Sequence, residues 1–360
     1  MTVRSLMPRE AFERISQGVR IIDIRGEVEQ LSGMAQGATA VPLDTLLTTP
    51  AEILGEDVVL LICQKGIRSA NAVETLRASG FNVVSVEGGT DAWLAQGLPI
   101  EVPNTAADIM GEDAAFLDRY SRQMRLPQVG LEGQIALRKA KIVVVGAGGL
   151  GAPVTYYLAA AGVGHITLID PDVVDRSNLQ RQIVHVDADV GALKVDSARS
   201  RLLALNPYLS LTTHALALDV TNASTLIEGA DVVIDGSDNF AVRHALNAAC
   251  VEARVPLVYG AVDRFTGQAS VFNAGSRGAV PCYRCLFPDA PEGVLNCAEA
   301  GVLGVVPGMV GMIQATETLK LLLGLGESLS GVLLQFDALN MQFKRTRIVA
   351  DPACPTCAVR

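Results

Sequence analysis

Positive charge is scarce in this chain. Its 29 Lys and Arg stand against 38 Asp and Glu, for a net charge of −9. Nucleic acids are bound largely by counterion release onto basic side chains, so this balance argues against them as partners. Aromatic residues are scarce too, with 9 Phe, 6 Tyr and 1 Trp, which removes the stacking platforms of single-strand binders. Seven cysteines in 360 residues are too few for a disulfide scaffold. No leader pattern opens the chain. Arg4, Arg9 and Glu10 are followed by no apolar core, and a cytoplasmic protein is expected. What the chain has in abundance is apolar residues, 49% against 19% charged, which excludes global disorder.

One stretch, Ile142 to Ile169, carries no Asp, Glu, Lys or Arg and is long enough to span a bilayer. It also holds Gly146, Gly148, Gly149, Gly151, Pro153, Gly162 and Gly164. Glycine and proline at that density break it into strand, loop, helix, turn and strand. It reads as a buried βαβ unit of a soluble protein, with no membrane partner.

At roughly 150 residues per domain, the length suits two domains or three. A boundary falls where Pro99 and Pro103 flank a short apolar run and "NTAADIMGED" follows without a period. The expected division is a first domain over 1–103, a linker over 104–114 and a second domain over 115–360. In the first, "GVRIIDIR", "VVLLIC" and "FNVVSVEGG" read as buried parallel strands, and "IRSANAVETLRASG" as a helix stopped by Gly80. In the second, "AKIVVV", "HITLID", "LSLTTHALA", "ADVVIDG" and "PLVYGAV" read as strands separated by helices. "GQASVFNAG" and "GVLLQFDAL…FKRTRIV" look antiparallel. Both domains are therefore α/β.

Gly146, Gly148 and Gly151 satisfy G-x-G-x-x-G after a strand and at the start of a helix. Such glycines let the backbone approach phosphates, and the helix start supplies amide donors. Asp170 ends the next strand, where an acid can hold ribose hydroxyls. A nicotinamide dehydrogenase would use the same loop. Against it stand Arg181 in "SNLQRQ" (Ser177 to Gln182), Lys194 in "GALK", Asp238 and Asn239 in "GSDN", and Arg122 in "RYSRQ". A hydride-transfer site needs few such charges, whereas a triphosphate site needs cations and an acid for Mg²⁺.

Cys282-x-x-Cys285 and Cys354-x-x-Cys357 form two knuckles. Four thiolates make a closed tetrahedral Zn²⁺ site with no open position for substrate, which is a structural site. Cys297, in "VLNCAEAG", is flanked by Asn and small residues. Cys250 sits on an apolar helical face and reads as core. Cys63 ends an apolar strand and precedes a helix beginning near Arg68, so its sulfur meets backbone amides, a helix dipole and a guanidinium.

The motifs "RYSRQ", "VVVGAGGLG", "LIDPDVVDRSNLQRQ", "GALK", "DGSDN", "PCYRC" and "DPACPTC" resemble the ThiF/MoeB/HesA family, bacterial relatives of ubiquitin-activating enzymes. The resemblance implies a Rossmann-like nucleotide-binding domain with a zinc knuckle. It implies adenylation of the C-terminal Gly-Gly carboxylate of a ubiquitin-like sulfur carrier, with ATP, Mg²⁺ and Zn²⁺ as cofactors. Gly146, Gly148, Gly149 and Gly151 would cradle the nucleotide, and Asp170 would hold the ribose. Asn178, Arg181 and Lys194 would contact phosphates beside Ser177, and Asp238, next to Asn239, would serve Mg²⁺. Arg122 matches an arginine that reaches a partner subunit's site, which implies a homodimer. Cys297 matches a segment that can link covalently to the carrier.

Residues 1–103 resemble the rhodanese sulfurtransferases, through Cys63-x-x-Gly66-x-Arg68-Ser69, "IIDIR" and "VEGGTDAW". Met34 stands where that pattern usually has His, and the domain precedes the adenylating one, whereas in such fusions it commonly follows. The expected chemistry is a persulfide on Cys63, supplied by a cysteine desulfurase or by thiosulfate, that converts the adenylated carrier to a thiocarboxylate. The pathway served would be that of molybdopterin, thiamine, thiolated tRNA or another sulfur metabolite. The alternatives are a thioester at Cys297 beside a passive rhodanese module, an NAD oxidoreductase, or a partner-binding scaffold.

Overall fold

The computed structural model describes residues 5–31, 33–101, 114–272, 280–289 and 301–358. It divides into two compact units, 1–131 and 132–360.

In the first unit the strands are β1 (Ser5–Leu6), β2 (Arg20–Asp23), β3 (Met34–Ala35), β4 (Ala38–Ala40), β5 (Val59–Ile62), β6 (Val83–Val86) and β7 (Ile100–Glu101). Five of them form a parallel sheet in the order β1-β6-β5-β2-β4. The central strands are continuous apolar runs because helices cover both faces. Ile22, Leu61, Val73 and Leu76 build the core on one face, and Ile21, Leu60, Phe12 and Trp93 the core on the other. Helix Ala114–Met124 belongs to this unit and packs on the short helix Glu27–Gln30. The compact division thus falls beyond that helix, later in the chain than the linker read from the sequence, most of which lies outside the described residues.

The second unit holds one eight-stranded sheet, built from β8 (Lys141–Val145), β9 (His165–Ile169), β10 (Ser210–His214), β11 (Val232–Asp235), β12 (Leu257–Asp263), β13 (Thr266–Phe272), β14 (Val332–Asp337) and β15 (Gln342–Arg347). Their order is β10-β9-β8-β11-β12-β13-β14-β15. The first five are parallel, and β13, β14 and β15 continue the sheet antiparallel, as the sequence suggested. The strand order reverses between β8 and β11. A crevice opens at the carboxyl ends of the strands at such a switch point. Helices Gly151–Ala161, Lys194–Leu205 and Val305–Leu323 supply one core layer, and helix Phe240–Ala253 the other. Among the described residues no helix is long and apolar enough to cross a membrane.

Candidate functional site

The glycine loop leaves β8 and turns directly into helix Gly151–Ala161. Gly151 is dictated by close packing, since a Cβ there would overlap the carbonyl oxygen of Gly146. Asp170, at the end of β9, anchors the loop. Its Oδ2 accepts the Ala147 N–H at 2.7 Å and its Oδ1 accepts the Asp172 N–H at 2.9 Å. Burial pushes this carboxyl above its ordinary range, against the pull of Lys194 and of those two N–H groups.

A cavity of about 820 Å³ opens over these strand ends. Gly146, Gly148, Gly149, Asp170, Arg181 and Lys194 line it, as do Asp238 and Asn239. Eight of the eleven nucleotide residues expected from the sequence thus share one space. Gly151 lies beneath the loop, while Ser177 and Asn178 sit on the turn Arg176–Asn178 and are not among its lining residues. The Lys194 ammonium is paired with Asp172 at 2.7 Å and stands 3.9 Å from Asp170. Asn239 also has a structural task. Its Oδ1 accepts from the backbone N–H of Ala241 and Val242, capping helix Phe240–Ala253.

Three lining groups were not singled out from the sequence. Asp172 neutralises Lys194, and its only signal is its place two residues after Asp170. Arg243 forms part of the wall. It is buried, paired with Asp235 at 3.3 Å and stacked over the rings of Phe240 and Tyr259, each 5.5 Å away. The start of β15 brings Gln342, Phe343 and Lys344 to the same cavity. Nothing in their local sequence announces it, because chain reversal alone places them there.

The four cysteines of the two knuckles come together, with all four sulfurs within 4.8 Å of one another. Neighbouring separations are 4.0 Å (Cys282–Cys285), 3.7 Å (Cys282–Cys354) and 3.4 Å (Cys285–Cys357). A tetrahedron of sulfurs around Zn²⁺ has edges of about 3.8 Å, so the residues fit that ion. Amides support the sulfurs. Asn247 Nδ2 donates to Cys282 Sγ at 3.5 Å, and the Asp351 N–H donates to Cys285 Sγ at 3.4 Å. Cys250 is buried in the core, which pushes its thiol pKa well up. Cys297 lies outside the described residues.

In the first unit Cys63 follows β5 and is only 1% exposed. Its sulfur accepts the Ser69 N–H at 3.3 Å and lies 3.4 Å from Ser69 Oγ. Gly66, with φ +78°, makes the left-handed turn that starts helix Ile67–Ala78. Arg25, buried against Asp23, donates to Gln64 Oε1 at 3.1 Å and braces the loop. Arg68 projects from the first turn of the helix, 39% exposed, and pairs with Glu29. Arg125 pairs with the same carboxylate. Arg122, on helix Ala114–Met124, belongs to this unit.

A doubly wound sheet opening at its switch point into a glycine-lined, cation-bearing crevice is the hallmark of a Rossmann-type α/β protein, here joined to a second α/β module. The model of the ThiF family matches residues 120–356, and the chain belongs to that family. The rhodanese-like domain model matches residues 7–96. The chain is 49% identical over 247 residues to the sulfur carrier protein adenylyltransferase of Thermus thermophilus, covering 67% of this chain and 90% of that protein. It is 48% identical over 240 residues to a probable adenylyltransferase/sulfurtransferase MoeZ of Mycobacterium tuberculosis. That match covers 66% of this chain and 61% of MoeZ. The fold is similar to that of E. coli MccB solved with ATP. The TM-score is 0.58 at 22% identity, over 75% of this chain and 85% of that one.

Proposed function

We propose that this protein adenylates the C-terminal Gly-Gly carboxylate of a ubiquitin-like sulfur carrier and then delivers sulfur to it from Cys63. The observation that carries the reading is the combination, in one chain, of the glycine-lined, cation-bearing cavity with the amide-cradled Cys63 loop. The names of the Thermus thermophilus and Mycobacterium tuberculosis relatives support both halves.

In the first step the carrier's carboxylate attacks the α-phosphorus of ATP and pyrophosphate leaves. The glycine loop supplies backbone N–H donors, and Arg181 and Lys194 supply positive charge where negative charge builds up. Asp238 would hold Mg²⁺, which when bound neutralises phosphate charge. The second step starts from a Cys63 persulfide, charged by a desulfurase or thiosulfate. Its terminal sulfur attacks the acyl-adenylate, AMP leaves, and a thiol cleaves the resulting acyl disulfide to free the thiocarboxylate. Cys282, Cys285, Cys354 and Cys357 would hold Zn²⁺, which when bound ties the C-terminal segment to the domain. A homodimer, in which Arg122 serves a partner subunit's site, belongs to the same reading, as does a cytoplasmic setting.

The decisive test mixes the protein with ATP, a sulfur donor and candidate Gly-Gly carriers, then weighs the carriers. Replacement of one carrier oxygen by sulfur is expected. Carriers that become adenylated yet never gain sulfur would overturn the second half of the proposal.

A further inference from the structure

His185 is buried beside the glycine loop, on the segment between the turns Arg176–Asn178 and Asp187–Asp189. Its Nε2 lies 3.0 Å from the carbonyl oxygen of Ala147, the second residue of the loop. Its Nδ1 lies 2.8 Å from Ser197 Oγ. Ser197 Oγ lies 2.7 Å from Asp189 Oδ2, which also accepts from Arg201 Nη2 at 3.0 Å. Ala147 is thus held from both sides, its N–H by Asp170 and its carbonyl by His185.

Counting hydrogens exposes a vacancy. A carbonyl oxygen only accepts, so Nε2 carries a hydrogen. The Ser197 hydroxyl has one hydrogen, and both Asp189 and His185 Nδ1 face it. In a neutral ring Nδ1 has no hydrogen. Ser197 then donates either to His185 or to Asp189, and the other short contact lacks a proton. In an imidazolium every contact is filled: Nε2–H to Ala147, Nδ1–H to Ser197, and Ser197 O–H to Asp189. Going from one state to the other moves a proton and turns a hydroxyl, with no heavy-atom rearrangement.

The charges facing the ring come from every side. Asp170 stands at the end of β9, Asp189 on the adjoining turn, and Lys194 and Arg201 on helix Lys194–Leu205. The glycine loop itself carries no titratable side chain. Burial is the largest influence and pushes the ring below its usual pKa. Lys194 reinforces it, while the Ala147 bond, Asp170 and Asp189 oppose it. The protein without nucleotide therefore favours the neutral ring. Negative phosphate charge close to the loop favours the charged ring.

We propose that nucleotide binding at the glycine loop is coupled to uptake of one proton by His185, which makes His185 a positioning residue that stiffens the loop and places a positive charge behind it. The proposal rests on reading the cavity as a nucleotide site. By linkage, affinity rises as pH falls between the bound and free pKa values, by at most about tenfold per unit for one proton.

The test is calorimetric titration of the full chain with α,β-methylene-ATP and Mg²⁺ near pH 7, in PIPES and in Tris. Wild type is expected to show buffer-dependent heats equivalent to uptake of most of a proton, and His185→Gln to lose that dependence while still binding. Equal uptake in both proteins, or none in either, overturns the inference. Absence of any nucleotide binding to wild type overturns the nucleotide reading instead. ¹⁵N-histidine spectra of wild type provide a second measurement that needs no variant. One of the four histidines should pass from a singly to a doubly protonated ring on adding nucleotide. A set of histidine signals that stays neutral also overturns the inference.

Discussion

Arg68 commits both terminal nitrogens to one carboxylate, donating to Glu29 Oε2 at 2.9 Å and to Oε1 at 2.6 Å. Arg125, just past helix Ala114–Met124, binds the same Glu29. The guanidinium expected to stand over the Cys63 sulfur is thus tethered by a residue 39 positions away in sequence. Paired bidentate contacts of this kind fix orientation as well as charge.

Glu29 should therefore govern the acid stability of this module. Burial pushes its carboxyl up, but the Arg68 bonds and the charges of Arg68 and Arg125 outweigh it, leaving the pKa below the ordinary 4.5. A depressed carboxyl contributes stability above its unfolded value, and that contribution disappears as pH falls through the folded one. Glu29→Gln is expected to lower the melting temperature by roughly 5 °C at pH 7. The gap to wild type should close as pH drops below 4.5. A gap that persisted unchanged at pH 3 would contradict the ion-pair account.

Asp238 and Asn239 are adjacent but should fail differently. Asp238→Ala and Arg181→Ala remove charges lining the cavity without opening a core, and each should reduce ATP–pyrophosphate exchange by about 100-fold or more. Asn239→Ala removes a helix cap and should cost about 1 kcal/mol of stability. Exchange assays and denaturant titrations on the three variants separate the roles. Exchange at the wild-type rate in Asp238→Ala or Arg181→Ala would refute the site assignment.

The two units were legible in the sequence for a physical reason. Buried parallel strands are apolar runs, and the turns that end them at ligand-facing edges need glycine, so "VVVGAGGLG" and "VVLLIC" announce themselves. Two-residue strands such as β3 and β7 are too short to carry a period, so no pattern marks them. Helix Val305–Leu323 is apolar nearly all round, so it offered no amphipathic stripe either. Within the site, residues carried by a local motif were legible. Glu29, Arg243 and the start of β15 were not, because only the tertiary fold brings them to their partners.

Zinc should be present at one ion per chain. The four sulfurs already stand at tetrahedral spacing, and the two knuckles lie 72 residues apart, so one ion closes a long loop. Elemental analysis of freshly purified protein tests the stoichiometry. Cys354→Ser, or removal of the metal by a chelator, should lower the melting temperature, because metal binding contributes directly to folding. A protein purified without zinc and insensitive to chelators would refute the assignment.

The last expectation concerns the division of labour between cysteines. Cys63 is cradled by the Ser69 N–H at the start of a helix in the first unit, whereas the residues lining the glycine-loop cavity lie in the second. Changes at sites that share no partner usually act independently. Cys63→Ser should thus release pyrophosphate from ATP and carrier at a rate within about twofold of wild type, yet make no thiocarboxylate. The hydroxyl that replaces the thiol keeps the Ser69 N–H as a partner, so the protein should still fold, with a modest loss of stability. Cys297→Ser should slow transfer without abolishing it if that cysteine relays the acyl group. Single-turnover measurements of pyrophosphate and of carrier mass on both variants resolve the two steps. Thiocarboxylate formed at the wild-type rate by Cys63→Ser would show that the rhodanese module does not carry the sulfur. Loss of pyrophosphate release in the same variant would instead show that the two units are coupled before transfer begins.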